Sequence, residues 1–240
     1  MSNYPIKKVL KEYGIVISES QENQLEKYML GVLEYNKSIN LTAVKDPDEF
    51  IYKHYVDSLT ILMDEKVRDY ISETTDIIDV GTGGGFPGVP LAILMPDKNF
   101  TLLDSLNKRL KIIDELCAAA GINNVRTLHS RAEDAGRDLK EREKYDLCVS
   151  RAVSNLAVLS EYTLPLVKTG GHFIAYKGND IKEELEEGRK AVEVLGGKVE
   201  SVVETCTEEK LVIIKKERKT PPKYPRKAGD PKKNPIGKNK

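Results

Sequence analysis

Apolar residues recur at two different periods along this chain, and the change falls near residue 73. Before it the spacing is helical. Leu25, Tyr28, Met29, Val32, Tyr35 and Ile39 lie three, four or one apart and share one helical face. Ser18 followed by Gln21 reads as a capping box that starts this helix. Residues 4–13 can form a shorter helix ahead of it. Asp46-Pro47-Asp48 breaks the chain and caps a further helix from Glu49 to Leu62. Residues 1–72 therefore predict a helical cap, amphipathic and so bound to pack on something.

From residue 73 short apolar runs alternate with helical stretches. The run 75–80 is a strand and Val89 to Leu94 a helix. Strands follow at Phe100 to Asp104, Val125 to His129, Tyr145 to Ser150 and Gly171 to Tyr176. Helices are predicted over Asn107 to Ala120, ended by Gly121, over Leu156 to Leu166, and over Ile181 to Leu195. Val199 to Cys206 and Lys210 to Lys215 close the pattern as a hairpin with a tight turn around Glu208. The β–α alternation predicts an α/β fold over 73–216, with a Rossmann-like, mostly parallel seven-stranded sheet and a C-terminal antiparallel hairpin.

The first strand runs into Asp79-Val80-Gly81-Thr82-Gly83-Gly84-Gly85-Phe86-Pro87-Gly88. Strand, glycine turn and helix make a nucleotide-binding corner. Gly83-x-Gly85-x-x-Gly88 satisfies the dinucleotide fingerprint by letter, and Asp104 ends the next strand where a ribose acid should lie. The tight-turn glycine, however, is Gly81, directly after the strand. Counted from Gly81 the third fingerprint position is Phe86, so the register of an NAD-dependent dehydrogenase fails. Asp79 is expected to face the cleft, where an acid suits a ligand carrying an ammonium group. Asp79-x-Gly81-x-Gly83 resembles the first motif of S-adenosylmethionine-dependent methyltransferases. Five parallel strands followed by a hairpin match the class I methyltransferase sheet, and two βαβαβ halves would not usually end that way.

Composition adds three constraints. No apolar run among the 240 residues approaches the ~20 needed for a membrane span, and the N-terminus has no signal-peptide core. Three widely spaced cysteines, Cys117, Cys148 and Cys206, show no metal spacing and suit reduced thiols in a cytoplasmic protein. The third constraint is charge. From Lys215 onward eleven Lys and Arg face two acids. With 38 basic and 38 acidic residues in all, this segment carries net +9 and the preceding body −9. Residues 217–240 are thus expected to be a disordered basic tail for a polyanionic partner, with Lys223, Arg226, Lys227, Lys232 and Lys233 binding RNA.

Strand ends supply the remaining site residues. Asp104 can accept both ribose hydroxyls, and Ser105 and Leu106 would lie along the adenosine. Backbone groups of Ala132 and Glu133, after the third strand, face the adenine edge. Ser150-Arg151-Ala152, after the fourth, faces the methyl acceptor. There is no Pro-Pro-aromatic cluster at that strand end, as amino-group methylases have. Thr220-Pro221-Pro222-Lys223-Tyr224 imitates one, but lies in the tail. Cys148 lies inside a strand and is a poor nucleophile. The acceptor left over needs neither amine deprotonation nor covalent attack. His54 and Asp57, three apart on a helix, are expected to hydrogen-bond and pin the cap; no metal is expected there.

Taken together, Asn40-Leu41-Thr42, His54 with Asp57-Ser58, the glycine corner, Leu103 to Arg109, Ser130 to Glu133, Ser150-Arg151-Ala152 and Tyr224 to Gly229 resemble one family over the whole chain. It is the bacterial small-subunit ribosomal RNA guanine-N7 methyltransferases, or glucose-inhibited division protein B family. The resemblance implies methylation of one guanine at N7 in the 530 loop of 16S rRNA, with S-adenosyl-L-methionine as cofactor. It implies cofactor contacts on Gly81, Phe86, Asp104, Ser105, Leu106, Ala132, Glu133 and Arg151, to which Asp79 and Gly83 are added here from the corner itself. Arg131 and Arg151 would orient the guanine and its phosphates, with no general base, because N7 carries a lone pair and no proton. The expected partner is the small ribosomal subunit and the expected state a monomer. A small-molecule methyltransferase would share the sheet and the corner but would not need the basic tail.

Overall fold

The computed structural model describes residues 3–237. The cap holds α1 (Ile6–Glu12), α2 (Glu19–Asn36), α3 (Pro47–Phe50), a π-helical segment (Ile51–Val56), α4 (Asp57–Leu59), a 3₁₀ turn (Thr60–Leu62) and α5 (Glu65–Ser72). The sheet and its helices follow as β1 (Asp76–Val80), α6 (Gly88–Leu94), β2 (Asn99–Asp104), α7 (Asn107–Ala120), β3 (Val125–His129), α8 (Ala132–Ala135), β4 (Tyr145–Arg151), α9 (Leu156–Thr163), β5 (Val167–Gly178), α10 (Lys182–Val194), β6 (Gly197–Glu204) and β7 (Glu209–Lys216). A short α11 (Asp230–Lys233) lies near the C-terminus.

The sheet order is β3-β2-β1-β4-β5-β7-β6. Strands β1 to β5 pair in parallel, and β7 runs antiparallel to both neighbours. This is the doubly wound class I methyltransferase sheet, with its order reversing between β1 and β4. A ligand crevice opens at such a reversal, outside the strand C-termini.

The predicted capping box at Ser18 and Gln21 is present. Leu25, Tyr28, Met29 and Val32 are the buried stripe of α2, which packs on α6 and α7. Three tyrosines then tie the cap together and to the sheet. Tyr28 Oη donates to Gly84 O (2.9 Å), Tyr55 Oη to Leu25 O (2.5 Å) and Tyr176 Oη to Ser58 O (2.7 Å). The first of these bonds joins the cap directly to the glycine loop.

Two expectations fail. The helix expected from Glu49 to Leu62 is interrupted by the π-helical segment, which holds His54. The tail is not disordered where it is described. Its Thr220 Oγ1 accepts from Nζ of Lys216, the fully buried last residue of β7, which also donates to Val167 O and, in a short contact, Leu164 O. Arg142 donates to Tyr224 O and Thr220 O, and Arg137 to Pro225 O. Arg226 forms a two-pronged pair with Glu161, which is itself fully buried. Composition alone suggested a solvated tail, but its partners are acids and arginines on the negatively charged body. The segment is a strap laid across the domain. Among the described residues no helix is long and apolar enough to cross a membrane.

Candidate active site

The corner after β1 depends on backbone that only glycine adopts readily. Gly81 and Gly85 have φ of +77° and +91°. A Cβ on Gly85 would stand 2.2 Å from Tyr28 Oη, so the loop could not close on the cap. A Cβ on Gly83 would instead enter open space, with Gly81 O nearest at 4.0 Å. Backbone is therefore free to be approached at Gly83.

Asp104 ends β2 and reaches back to that loop. Its Oδ2 accepts from Gly83 N (3.0 Å) and its Oδ1 from Leu106 N (2.8 Å). Each oxygen keeps further lone-pair capacity, so the oriented carboxylate can still accept two hydroxyls, as a ribose diol requires. Ser105 and Leu106 lie exposed beside it, Leu106 at 50%. This donor and acceptor set, with the open cradle at Gly83, fits an adenosine ligand.

Asp79 does not face the cleft. It is fully buried under the loop, with Oδ2 accepting from Thr82 Oγ1 (2.7 Å) and Gly88 N (2.9 Å). Its Oδ1 is buried without a hydrogen-bond partner among the described residues, and burial pushes the carboxyl up to about 6. The loop folds back over the strand end, so this acid holds the corner's shape instead of meeting a ligand's ammonium group.

Arg151 ends β4. Its Nη1 donates to Lys53 O (2.9 Å) and its Nη2 to His54 Nδ1 (3.1 Å). Asp57 Oδ2 lies 3.9 Å from Nη1, and the guanidinium carbon sits 5.9 Å above the Phe86 ring. The expected His54–Asp57 hydrogen bond is replaced by this shared arginine. Asp146, also on β4, accepts from Thr75 N and Asp76 N and pairs with Lys168 instead of with Arg151. Ala152 follows with φ of +58°, a sharp bend for a residue with a side chain. The bend turns Val153 onto Gly81, where a Cβ would meet it at 2.5 Å. The loop after β4 thus lies on the loop after β1.

Arg131 is exposed at the start of α8, while Glu133 is buried and accepts from Gly229 N (2.9 Å) in the strap. In this sheet order β3 and β4 are three strand spacings apart, ~14 Å. Arg131 and Arg151 therefore flank the crevice from opposite sides.

Sequence reasoning missed Glu209. It starts β7 opposite Gly178 and is one of the charged groups felt by Arg151. Its Oε2 is buried without a hydrogen-bond partner among the described residues, and burial raises the carboxyl to about 7 against the pull of Arg151. The only signal in the chain was an acid at the β-hairpin turn. The folded pKa lies above the unfolded value, so the folded state holds a proton that the unfolded state releases between the two. The contribution to stability is present at low pH and is lost as pH rises through about 7. Glu209→Gln should melt with the wild type at pH 4, below the unfolded value. At pH 8 it should be more stable by about 1–2 kcal/mol, a shift of ~2–8 °C. Calorimetry at both pH values checks this; the same difference at each would remove the buried charge as its cause.

The sequence model of the family described as rRNA small subunit methyltransferase G matches residues 21–213. The ribosomal RNA small subunit methyltransferase G of Desulforamulus reducens is 46% identical over 236 residues, covering 96% of this chain and 97% of that protein. The corresponding protein of Clostridium tetani is 45% identical over 230 residues, covering 94% and 95%. A 16S rRNA (adenine(1408)-N(1))-methyltransferase from Catenulisporales acidiphilia shares the fold at a TM-score of 0.50 and 17% identity, covering 66% of this chain and 92% of that one.

Proposed function

The chain belongs to the small-subunit ribosomal RNA methyltransferase G family, and from that membership we propose that it transfers the methyl group of S-adenosyl-L-methionine to N7 of one guanine in the 530 loop of 16S rRNA. The observation that carries the cofactor reading is Asp104, oriented by Gly83 N and Leu106 N at the mouth of the crevice. Gly81, Gly83, Phe86, Ser105, Leu106 and the backbone of Ala132 and Glu133 complete the proposed cofactor site.

The cofactor supplies a methyl group on a sulfonium centre, and guanine N7 offers a lone pair with no proton to remove. What is left for the protein is alignment and exclusion of water. Arg151 is the proposed acceptor-facing group. Two of its five N–H groups are held by the cap, which leaves three for the guanine or its phosphate. Methylation leaves a positive charge on the purine, which Asp57, beside Arg151, is proposed to offset. Arg131, across the crevice, is proposed to hold flanking phosphate instead of the same base.

The strap is the proposed contact to RNA backbone, with the small ribosomal subunit as partner and the bacterial cytoplasm as the place of work. Lys223, Lys227, Lys232 and Lys233 are exposed. Arg226 is withdrawn from this set, since Glu161 occupies its guanidinium. Gly229 on Glu133 brings the strap to the crevice rim. Because the strap is packed, truncation would disturb the fold; Lys227, Lys232 and Lys233 should be changed to alanine together. The slope of log Kobs against log salt for RNA binding should then fall by about 2 to 3. An unchanged slope would mean the strap serves solubility alone, which would reopen a small-molecule acceptor.

The decisive experiment uses methyl-labelled S-adenosyl-L-methionine and small subunits from a strain lacking the modification. Label on one guanine N7 is expected after digestion. Cofactor binding without transfer would move the substrate elsewhere, and no cofactor binding would overturn the corner.

A further inference from the structure

The N-terminal cap contributes an aromatic ring to the site that the reaction chemistry does not by itself require. His54 lies parallel to Phe86, with ring centroids 4.3 Å apart and planes 10° apart, and meets Phe50 edge-on at 4.6 Å. Its Nε2 is 2.6 Å from Thr42 Oγ1 and its Nδ1 3.1 Å from Arg151 Nη2. We propose that His54 is a positioning residue for methyl transfer, whose Nδ1 aims the Arg151 guanidinium at the acceptor, so that the cap forms part of the acceptor site. This rests on the acceptor-facing role given to Arg151 above.

The hydrogen-bond directions leave one assignment. A guanidinium has donors and no acceptor, so Nδ1 must present its lone pair to Arg151. A neutral imidazole then carries its proton on Nε2, and Thr42 Oγ1 accepts it. Thr42 is itself fixed. Its Oγ1 also accepts from Val44 N (3.1 Å), and Asn36 Oδ1 accepts from Leu41 N (2.9 Å) and Thr42 N (3.1 Å). The chain of contacts runs from α2 through the Asn40-Leu41-Thr42 turn to His54 and on to β4. Burial and the Arg151 charge hold His54 down to about 3, so its lone pair stays available at working pH. Lys53 O, in the same π-helical segment, takes the second guanidinium nitrogen. Asp57 on the cap, Glu209 on β7 and Asp79 under the glycine loop also feel the charge of this arginine, and Lys53 acts on the first two of these acids.

Two fixed acceptors define the guanidinium plane and direction, and the Phe86 face supports it from one side. An arginine tethered to the cap in this way keeps its remaining donors pre-aimed. Without His54, Lys53 O would remain, among the described residues, as the one hydrogen-bond acceptor of the guanidinium, and the fork could swing toward Asp57.

The test separates the nitrogen from the ring. His54→Asn places an amide oxygen where Nδ1 stands and loses the stack. His54→Phe keeps the stack and loses the acceptor. With labelled cofactor and undermethylated small subunits, His54→Asn should keep kcat within about fivefold of wild type. His54→Phe should lose about 10- to 100-fold in kcat. In both, the cofactor Kd should change less than about twofold. Thr42→Val keeps the ring and frees its tautomer, and should lower kcat by about 3- to 10-fold; it serves if His54→Phe does not fold. On an Arg151→Ala background His54→Phe should cost nothing more. The reverse order, with His54→Phe active and His54→Asn inactive, overturns the inference and leaves a packing ring. Additive losses with Arg151→Ala also overturn it. No transfer by the wild type with cofactor bound is a separate result: it overturns the reaction assigned above, and this inference with it.

Discussion

Arg151→Ala should lower the methyl-transfer rate by about 100- to 1,000-fold while changing the S-adenosyl-L-methionine Kd less than about threefold. The size follows from how this side chain is held. Its guanidinium is tied to Lys53 O and His54 Nδ1 and lies over Phe86, at the end of β4, the side proposed above for the acceptor. Removing it deletes an aimed charged donor and leaves the buried side of the cap facing a gap. Arg151→Lys restores the charge but cannot bridge two acceptors with one planar fork, so it should recover only part of the rate. Single-turnover kinetics at saturating cofactor, beside calorimetric titration of the cofactor, check both halves. Equal losses in rate and affinity would make Arg151 a cofactor ligand alone and leave the acceptor side without its proposed anchor.

The second large effect belongs to Asp104. Asp104→Ala should weaken cofactor binding about 100-fold, in line with losing two charge-assisted hydrogen bonds to a diol. It also strips an acceptor from Gly83 N and Leu106 N. The ligand-free protein should therefore lose about 1–3 kcal/mol of stability as well. Asp104→Asn keeps one acceptor oxygen and should fall between. The rate of Asp104→Ala should return toward wild type at high cofactor concentration, because the acceptor side is untouched. Titration calorimetry on protein shown to be folded by circular dichroism measures the affinity. An unchanged Kd would remove Asp104 from the cofactor site and leave it the loop brace that its two backbone bonds already make it.

The strand-end logic reached Asp104 because strand, turn and helix are local. An acid at the end of β2 follows from the order of short apolar runs, and the pairing of β2 with β1 sets that strand end beside the glycine loop. Asp79 shows where that logic stops. Its position at the end of β1 was legible, but its direction was not, because Thr82 and Gly88 turn back over it within nine residues. Glu209 was hidden for a similar reason. An acid next to a hairpin turn reads as solvated, and only the pairing of β7 with β5 brings it among Asp57, Lys53 and Arg151.

The strap shows a second kind of limit. Charge counting correctly separated a basic segment from an acidic body. It did not reveal that part of the excess is spent within the chain, in Arg226 with Glu161 and in buried Lys216. Lys216 lost its solvation on burial and was lowered to about 8, and its three oxygen partners and nearby Glu143 offset that cost.

The sequence by itself determined what depends on neighbours within a few residues. The change of hydrophobic period set the cap apart from the sheet, the glycines set the corner, and the combined motifs set the family. Tertiary structure alone decided which distant groups meet. Arg151 finds Lys53 across 98 positions, and Arg226 finds Glu161 across 65. Periodicity carries no information about such pairs. They are selected by burial, where a charged side chain must find a partner because water is no longer there to serve as one.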